Sequence, residues 1–349
     1  MQTRRGRDSN IRFLVLEDYV QEDCGLVRRL GEIGERELLE WIVKRLEEPD
    51  GAVLPPGDDA ADFPFRGRLV VSCDMLAEKT DIPAGMSLRS VGYKAVTAAT
   101  SDIAAKAGKP IAYLISLMLP PDMSEKEFEE LWMGFEEAVK IYDGKIIGGD
   151  LNSGDQIIID VICIGEASNP VSRLGARPGD VLAVTGDFGS QAAGLHALLS
   201  GITDDPLAER VIKKFTRPIA RLKEAAALAK IGAITSSIDS SDGLAESLHI
   251  LSEVNDVGFV IDDPPVNKDA VEYSKKFGVN LFDLVFYGGE EYELVVTIKP
   301  KMLEDAIISV REVGGSLIPI GRVTEERVIK TRWFGREVTV ERRGYEHFK

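Results

Sequence analysis

Six short segments, far apart along the chain, place carboxylates beside glycine, serine or cysteine. They are Gly57-Asp58-Asp59, Ser72-Cys73-Asp74, Ser101-Asp102, Gly148-Gly149-Asp150, Asp239-Ser240-Ser241-Asp242-Gly243 and Gly288-Gly289-Glu290-Glu291. Small neighbours let a backbone approach a ligand closely, and carboxylates on short turns project with little bulk around them. Mg²⁺ takes oxygen ligands and usually shares them between a few carboxylates and phosphate oxygens. The pattern therefore predicts binding of divalent cations and of the phosphates that they accompany.

A plainer interpretation exists for each segment, because a single aspartate in such a setting is more often a helix cap or a turn former. Six segments together are harder to explain in that way. If the carboxylates converge, their repulsion costs several kcal/mol in a site of low dielectric, so bound cations are needed to keep them ionised. Aspartates without histidine or cysteine argue against zinc and copper.

Other catalytic signatures are missing from the sequence. It contains no GxxxxGK[ST] loop and no HExxH, and Gly186-Asp187-Phe188-Gly189 is interpreted as a plain helix entry. The histidines are His196, His249 and His347, and the first two fall in predicted helices, where packing is the expected role. We therefore expect no catalytic side chain in the acid-base sense, only metal and electrostatic catalysis.

The elements that must position the acidic segments alternate between helices and strands in the first half. Apolar spacing predicts helices over 33–46, 90–107 and 124–142, and strands over 111–119, 145–147 and 157–164. Ser124 and Glu127 form a capping box at the start of the third helix. Asp74 and Asp150 each follow an apolar run, so both are expected at strand ends, where α/β proteins often place ligand groups.

The second half contains a different order of elements. Helices are predicted over 189–200, 218–231, 242–254 and 301–313, and strands over 181–185, 233–239 and 292–298, with a hairpin over 327–340. A chain of 349 residues suits two domains of about 150 residues each. We expect a flexible N-terminal extension over 1–28, an N-terminal domain over 29–167 and a C-terminal domain over 168–349.

Composition limits the partners. The chain has 58 acidic and 42 basic residues, a formal charge of −16 that disfavours nucleic acid. The longest apolar run, 111–119, is well short of the roughly 20 residues that a membrane span needs, so no membrane partner is expected. Cys24, Cys73 and Cys163 have no CxxC spacing, which indicates neither a disulfide framework nor a zinc site and favours a cytoplasmic location.

Taken in order, the motifs resemble those of the thiamine-monophosphate kinase family, which belongs to the ATP-binding superfamily of aminoimidazole ribonucleotide synthetase and selenophosphate synthetase. The resemblance runs from about residue 30 to the C-terminus. It rests on Gly-Asp-Asp-Ala-Ala at 57–61, Gly-Tyr-Lys-Ala at 92–95, Ser-Asp-Ile-Ala-Ala at 101–105, Ile-Gly-Gly-Asp at 147–150, Ser-Asp-Gly-Leu at 241–244, Gly-Gly-Glu-Glu-Tyr-Glu-Leu at 288–294 and Gly-Tyr-Glu-His-Phe at 344–348.

The resemblance implies a two-domain PurM-like fold of α/β and α+β class. The N-terminal α/β domain would contain a mixed sheet, bind ATP and Mg²⁺ and form the homodimer, and the C-terminal domain would be α+β. The implied reaction is direct in-line transfer of the γ-phosphoryl group of ATP to thiamine monophosphate, giving thiamine diphosphate and ADP. Because the attacking phosphate oxygen is already ionised near neutral pH, this reaction needs alignment and charge neutralisation rather than a general base.

The resemblance also implies roles for individual residues. The ligands of several Mg²⁺ ions would be Asp59, Ser72, Cys73, Asp74, Asp102, Asp150, Asp239 and Asp242. ATP would be held by Gly149, Asp150, Arg173 and Ser241, and thiamine monophosphate by Asp81, Glu290 and Tyr345. Three positions depart from the usual family pattern: Cys73 replaces a threonine, Asp81 replaces a histidine, and Leu151-Asn152 replaces two threonines.

Two alternatives remain open at this point. One is another ATP-dependent activity of the same superfamily, of the selenophosphate or aminoimidazole ribonucleotide synthetase type. The other is a non-catalytic acidic module that binds cations without dependence on a nucleotide.

Overall fold

The structure, a computed structural model, describes residues 28–47, 49–51, 64–65 and 67–344. Asp59 and Tyr345, both expected in the site, lie outside these residues, as do Cys24 and residues 1–27 of the expected extension. Arg28 is described, and its guanidinium forms ion pairs with Glu37 and Glu125.

The N-terminal half packs helices against one face of a small mixed sheet. Its described helices are α1 (Leu30–Ile33), α2 (Glu35–Val43), α3 (Glu78–Asp81), α4 (Leu88–Ala105) and α5 (Glu125–Tyr142). Its strands are β1 (Leu69–Ala77), β2 (Lys109–Leu119), β3 (Lys145–Ser153) and β4 (Ile158–Glu166). The strand order is β1-β4-β2-β3, with β2 and β3 parallel and the other pairs antiparallel. The expected mixed sheet is confirmed.

The C-terminal half forms a larger sheet flanked by helices. Its described helices are α6 (Ser190–Leu199), α7 (Pro206–Thr216), α8 (Leu222–Ile231), α9 (Leu244–Asn255), α10 (Lys268–Phe277), α11 (Leu281–Phe286) and α12 (Leu303–Glu312), with a 3-10 turn at Pro300–Met302. Its strands are β5 (Val181–Val184), β6 (Ile234–Asp239), β7 (Gly258–Ile261), β8 (Leu294–Ile298), β9 (Ile318–Thr324), β10 (Ile329–Trp333) and β11 (Arg336–Thr339). They run in the order β11-β10-β7-β9-β5-β8-β6, and only β10 and β7 are parallel neighbours.

Several expectations about single elements are confirmed. Ser124 Oγ accepts a hydrogen bond from Glu127 N, and Glu127 Oε2 accepts one from Ser124 N, so the capping box starts α5 as predicted. The hairpin over 327–340 is also present, because β10 and β11 pair in antiparallel register around Phe334-Gly335. Both turn residues have positive φ, as a two-residue hairpin requires.

Other expectations about elements are wrong. Asp74 and Asp150 do not end their strands, because β1 continues to Ala77 and β3 continues to Ser153. The helix predicted over 33–46 is present as the shorter α2, which begins after Gly34, whose φ of +79° separates it from α1. The predicted elements also omitted α7, α10, α11, β7 and β9. Helices α7 and α10 are strongly amphipathic, so their apolar spacing is a signal that could have identified them.

Helices α4 and α5 lie unusually close together because glycine is present where they cross. A Cβ on Gly92 of α4 would lie 2.2 Å from the carbonyl oxygen of Leu131, and a Cβ on Gly134 of α5 would lie 2.1 Å from that of Arg89. The two helices cover a core that includes Phe128, Leu131 and Phe135. The crossing therefore fixes α4, which carries several candidate site residues, against the rest of the N-terminal half.

None of the helices in the described part of the chain is long and apolar enough to cross a membrane.

Replacement of Gly134 by alanine is predicted to destabilise the protein by about 2 kcal/mol or more, since a backbone carbonyl occupies the space of the new methyl group. This is the opposite of the usual effect, because alanine is a better helix former than glycine by about 1 kcal/mol. Met133→Ala on the exposed side of the same helix is the control. Chemical unfolding measures both, and a Gly134→Ala variant as stable as the wild type would contradict the close crossing.

Candidate functional site

Three aspartates from different elements meet where the two halves of the chain contact each other. The carboxyl groups of Asp74 on β1 and Asp102 on α4 lie against each other. The charge of Asp239, at the end of β6, raises the pKa of Asp74, and the charge of Asp102 raises that of Asp239. The hydroxyl of Ser101 donates a hydrogen bond to Asp239 Oδ2 at 2.8 Å across the junction. We call Asp74, Asp102 and Asp239 the acidic centre.

The acidic centre is electrostatically strained. Burial, together with the neighbouring carboxylates, raises the pKa of Asp74, Asp102 and Asp239 to about 6 in each case. Asp242 adds a further negative charge near Asp74. In addition, Asp74 Oδ2 is buried and has no hydrogen-bond partner. A buried carboxylate oxygen without a partner is costly, and a cation among these groups would relieve both the desolvation and the repulsion.

Two cations lie at one end of the acidic centre. Lys106, at the end of α4, donates a hydrogen bond to the carbonyl oxygen of Ser237 at 3.0 Å. Burial and the charge of Arg173 lower the pKa of Lys106 to about 8, while the charges of Asp239 and Asp102 oppose this shift. Sequence analysis selected Arg173 but missed Lys106. Its position four residues after Asp102 places both on one face of the helix, and this spacing is the signal that could have identified it.

The loop that carries Arg173 is fixed by one side chain. Asn255 Oδ1 accepts hydrogen bonds from Gly175 N at 2.6 Å and Ala176 N at 2.9 Å, and Asn255 Nδ2 donates one to the carbonyl oxygen of Arg173 at 2.9 Å. Arg173 is thus held beside the acidic centre by the end of α9, and its charge lowers the pKa of Asp102.

Two glycine-containing loops interlock beside the acidic centre. They cover residues 239–243 and 288–293, and we call them the interlocked loops. Glu290 N donates to the carbonyl oxygen of Ser241 at 2.6 Å, and Tyr292 N donates to that of Ser240 at 2.9 Å. A Cβ on Gly289 would lie 2.4 Å from the Ser241 oxygen, which explains the glycine there. The charge of Asp242 raises the pKa of Glu290 as well as that of Asp74, so Asp242 is near both groups.

The other end of the site is built around a lysine. Lys94 of α4 is fully buried, forms an ion pair with Glu290 and lies 3.8 Å from the centre of the Phe215 ring. The charge of Asp81 acts on both Lys94 and Glu290, so the two described substrate candidates converge on this lysine. Sequence analysis noted Gly-Tyr-Lys-Ala but gave Lys94 no role. We call Lys94, Glu290 and Asp81 the Lys94 cluster.

The neighbours of Asp74 on β1 have other contacts. Ser72 Oγ lies on the same face as Asp74 and donates a hydrogen bond to the carbonyl oxygen of Ala99 at 2.6 Å. Cys73 points to the opposite face, where its Sγ lies 3.1 Å from Asp160 Oδ1. This contact, with burial and nearby carboxylates, raises the pKa of Cys73 to about 11. The thiol is therefore neutral and directed away from the acidic centre.

Asp150 lies apart from the acidic centre within one chain. The strand register pairs Asp74 with Val161, Val161 with Ile115, and Ile115 with Gly149, so Gly149 is three strands away, or about 14 Å. The side chain of Asp150 is on the other face of the sheet. A Cβ on Gly149 would lie 1.8 Å from the carbonyl oxygen of Ile115, so only glycine fits at this position.

Among the described residues, no three acidic, histidine or cysteine side chains are arranged to hold one metal ion in common. The acidic centre nevertheless has the oxygen donors that Mg²⁺ prefers, and one of them is a buried oxygen without a partner. The described carboxylates fit an ion that draws its remaining ligands from phosphate oxygens.

The two described histidines have structural contacts, as expected. His196 Nδ1 is 3.0 Å from the hydroxyl of Tyr273, and His249 Nε2 is 3.0 Å from the carbonyl oxygen of Val340.

Comparison with known proteins identifies the family of this chain. Residues 57–167 match the N-terminal domain of AIR synthase related proteins, and residues 177–334 match the C-terminal domain. The thiamine-monophosphate kinase of Nitrosopumilus maritimus is 34% identical over 84% of this chain and 93% of its own length. That of Pyrococcus horikoshii is 35% identical over 87% of this chain and 94% of its own. A solved structure of AaThiL complexed with AMPPCP and TMP is 28% identical, with a TM-score of 0.73 over 93% of this chain and 100% of that one.

Asp74→Asn is predicted to raise the melting temperature of the metal-free protein, because it removes one of the repelling charges, with a gain of about 1 kcal/mol. The same change should reduce the further stabilisation that MgCl₂ gives to the wild type. Thermal unfolding with and without MgCl₂ measures both effects, and Asp305→Asn on exposed α12 is the control. If MgCl₂ raises the melting temperature of the wild type and of Asp74→Asn by the same amount, this result would argue against a cation at the acidic centre.

Proposed function

The chain belongs to the thiamine-monophosphate kinases of the AIR synthase related family, and we propose that the junction between its two domains binds ATP and thiamine monophosphate. The protein is an ATP-dependent phosphotransferase that uses a phosphate group as acceptor. It transfers the γ-phosphoryl group of ATP to thiamine monophosphate and releases thiamine diphosphate and ADP.

One observation carries the proposal beyond family membership. Residues from both domains converge on the acidic centre, with cationic groups at either end. Two phosphorylated substrates repel each other, so a site that joins them must neutralise their charge and align them. Arg173 and Lys106 supply positive charge at one end, and the acidic centre supplies the donors for divalent cations.

Mg²⁺ would be held by Asp74, Asp102, Asp239 and Asp242. When bound, it would neutralise negative charge on the phosphate oxygens. Arg173 orients the nucleotide phosphates with its planar guanidinium, and the Asn255 contacts keep its loop in place. No side chain needs to remove a proton, since the acceptor phosphate is already an anion. The residues of the site therefore act by positioning the two substrates in line.

Cys73 and Cys163 are free cysteines, and we propose a cytoplasmic location for this enzyme.

A second copy of the chain is the partner that fits the open face of the N-terminal sheet. The exposed residues of β1 on this face are Leu69, Val71, Cys73 and Met75, and the half-exposed residues of its neighbours are Leu114, Met118, Ile158, Ile162 and Ile164. This face is largely apolar and is crossed by one polar row of Asp160, Ser116 and Asp150. A large apolar patch rimmed or crossed by polar residues marks an interface. Asp150 is on the same face, so a homodimer formed there would place Asp150 and the adjacent Gly149 at the boundary between the two copies.

The purified protein with ATP, MgCl₂ and thiamine monophosphate is predicted to form thiamine diphosphate and ADP in equal amounts. Asp102→Asn should lower kcat/KM by about 100-fold or more, because it removes a donor from the acidic centre that acts on the reacting phosphates. Asp305→Asn serves as the control, and circular dichroism confirms that each variant is folded. A protein that binds ATP but makes no thiamine diphosphate would contradict the proposed function.

Val71→Glu is predicted to convert a homodimer into a monomer, because it buries a charge in the proposed apolar interface; Val71 is 61% exposed in the single chain. Light scattering gives the mass of each species. Ile308→Glu is the matched control, since Ile308 is 53% exposed on α12, away from the sheet face. A wild-type protein that is monomeric at micromolar concentration would refute this interface.

A further inference from the structure

Lys94 reaches from the N-terminal domain into the C-terminal domain. It lies near the start of α4, has no exposed surface, and places its ammonium between the Glu290 carboxylate and the Phe215 ring of α7. Because a fully buried ammonium without a counter-charge is strongly disfavoured, the pairing with Glu290 is required for Lys94 to remain charged. Glu290 depends on Lys94 in the same way, since burial also disfavours the charge on the Glu290 carboxylate.

The partners differ in access to the surface. The Lys94 side chain is 0% exposed, whereas the Glu290 side chain keeps 26% of its surface exposed. Glu290 is therefore the member that can contact a ligand, and Lys94 supports it from behind. The Phe215 ring packs against the other side of the ammonium, so Lys94 has little freedom to move away from Glu290.

The backbone around Glu290 is also held in an unusual conformation. Glu290 has a φ of +68° and Tyr292 a φ of +52°, both in the left-handed region that non-glycine residues rarely adopt. The hydrogen bonds from these two residues to the carbonyl oxygens of Ser241 and Ser240 hold the loop in this conformation. Backbone strain of this kind is found where a side chain must be aimed at a ligand.

The charges of the Lys94 cluster leave an excess of one negative charge, since Glu290 and Asp81 are opposed by a single ammonium. The thiazolium ring of thiamine carries a permanent positive charge. Burial and the charge of Asp81 raise the pKa of Glu290, whereas the charge of Lys94 lowers it, so the ammonium favours the ionised form of Glu290 beside Asp81. Such a cluster suits a cationic group better than a neutral one.

We propose that Lys94 is a positioning residue that holds the Glu290 carboxylate toward the thiazolium end of thiamine monophosphate and so contributes to the selection of this cationic acceptor. This inference rests on the proposed function. Lys94 itself contacts no substrate; its effect passes through Glu290.

Lys94→Met tests the proposal because it keeps the length of the side chain and removes its charge. The Kd for thiamine monophosphate, measured by calorimetry, and its KM are expected to rise about tenfold or more, while the KM for ATP changes by about twofold or less. Lys94→Arg, which keeps the charge, is expected to retain tighter binding than Lys94→Met. If Lys94 acts through Glu290, the double variant Lys94→Met/Glu290→Gln should bind no more weakly than Glu290→Gln alone.

Val310→Ala is the control for a general loss of stability, because Val310 is fully buried on α12 in a separate part of the core. It should lower the melting temperature without changing the ratio of the two KM values. Equal rises in the KM for ATP and thiamine monophosphate in Lys94→Met, or an unchanged Kd for thiamine monophosphate, would overturn the proposal. So would a further loss in the double variant. Should Lys94→Met not fold, the double variant decides the question, because it should bind thiamine monophosphate no more weakly than Glu290→Gln alone.

The two proposals fail in different ways. A wild-type protein without turnover refutes the kinase function, whereas a Lys94→Met variant with normal affinity for thiamine monophosphate refutes only the role of Lys94.

Discussion

Repulsion among buried carboxylates is the constraint on which the rest of this structure depends. Asp74, Asp102 and Asp239 come from both domains, and each has a raised pKa because burial and its neighbours disfavour its charge. Helix α4 supplies much of the compensation, since it carries Lys94 and Lys106 as well as Asp102. A helix that contributes both the repelling and the balancing charges must not shift, and the close glycine crossing with α5 prevents such a shift.

The alternation of side chains along β1 connects the site with the proposed interface. Ser72 and Asp74 face α4, whereas Val71, Cys73 and Met75 face outward, so a slip of one residue in register would exchange the two sets. The register is fixed over the whole strand by nine pairs with β4, from Leu69 to Ala77. One strand thereby presents carboxylate to the site and apolar surface to a second copy, and neither feature can change without the other.

The sequence predicted the chemistry of the site better than its geometry. Acidic segments with small neighbours could be identified directly, and the capping box at Ser124 and the hairpin at Phe334-Gly335 are local signals that need no tertiary information. The role of Lys94 could not be identified in this way, because it depends on Glu290, which lies more than 100 residues away. For Lys106 the spacing from Asp102 was a local signal, but its bond to Ser237 also needs the tertiary fold. The placement of Asp150 on the opposite face from Asp74 likewise follows from a strand order that no local pattern encodes.

The order of charges along the domain junction matches the two substrates of the proposed reaction. Arg173 and Lys106 lie at one end, the acidic centre follows, and the Lys94 cluster with its excess negative charge lies at the other end. A polyphosphate is favoured beside the arginine and lysine, and a thiazolium cation is favoured beside Glu290 and Asp81. The middle of the site brings carboxylates of both domains together, and there the acidic centre has oxygen donors of the kind that Mg²⁺ prefers. In the proposed site this distribution of charge would orient both substrates, and such orientation needs no glycine-rich phosphate loop.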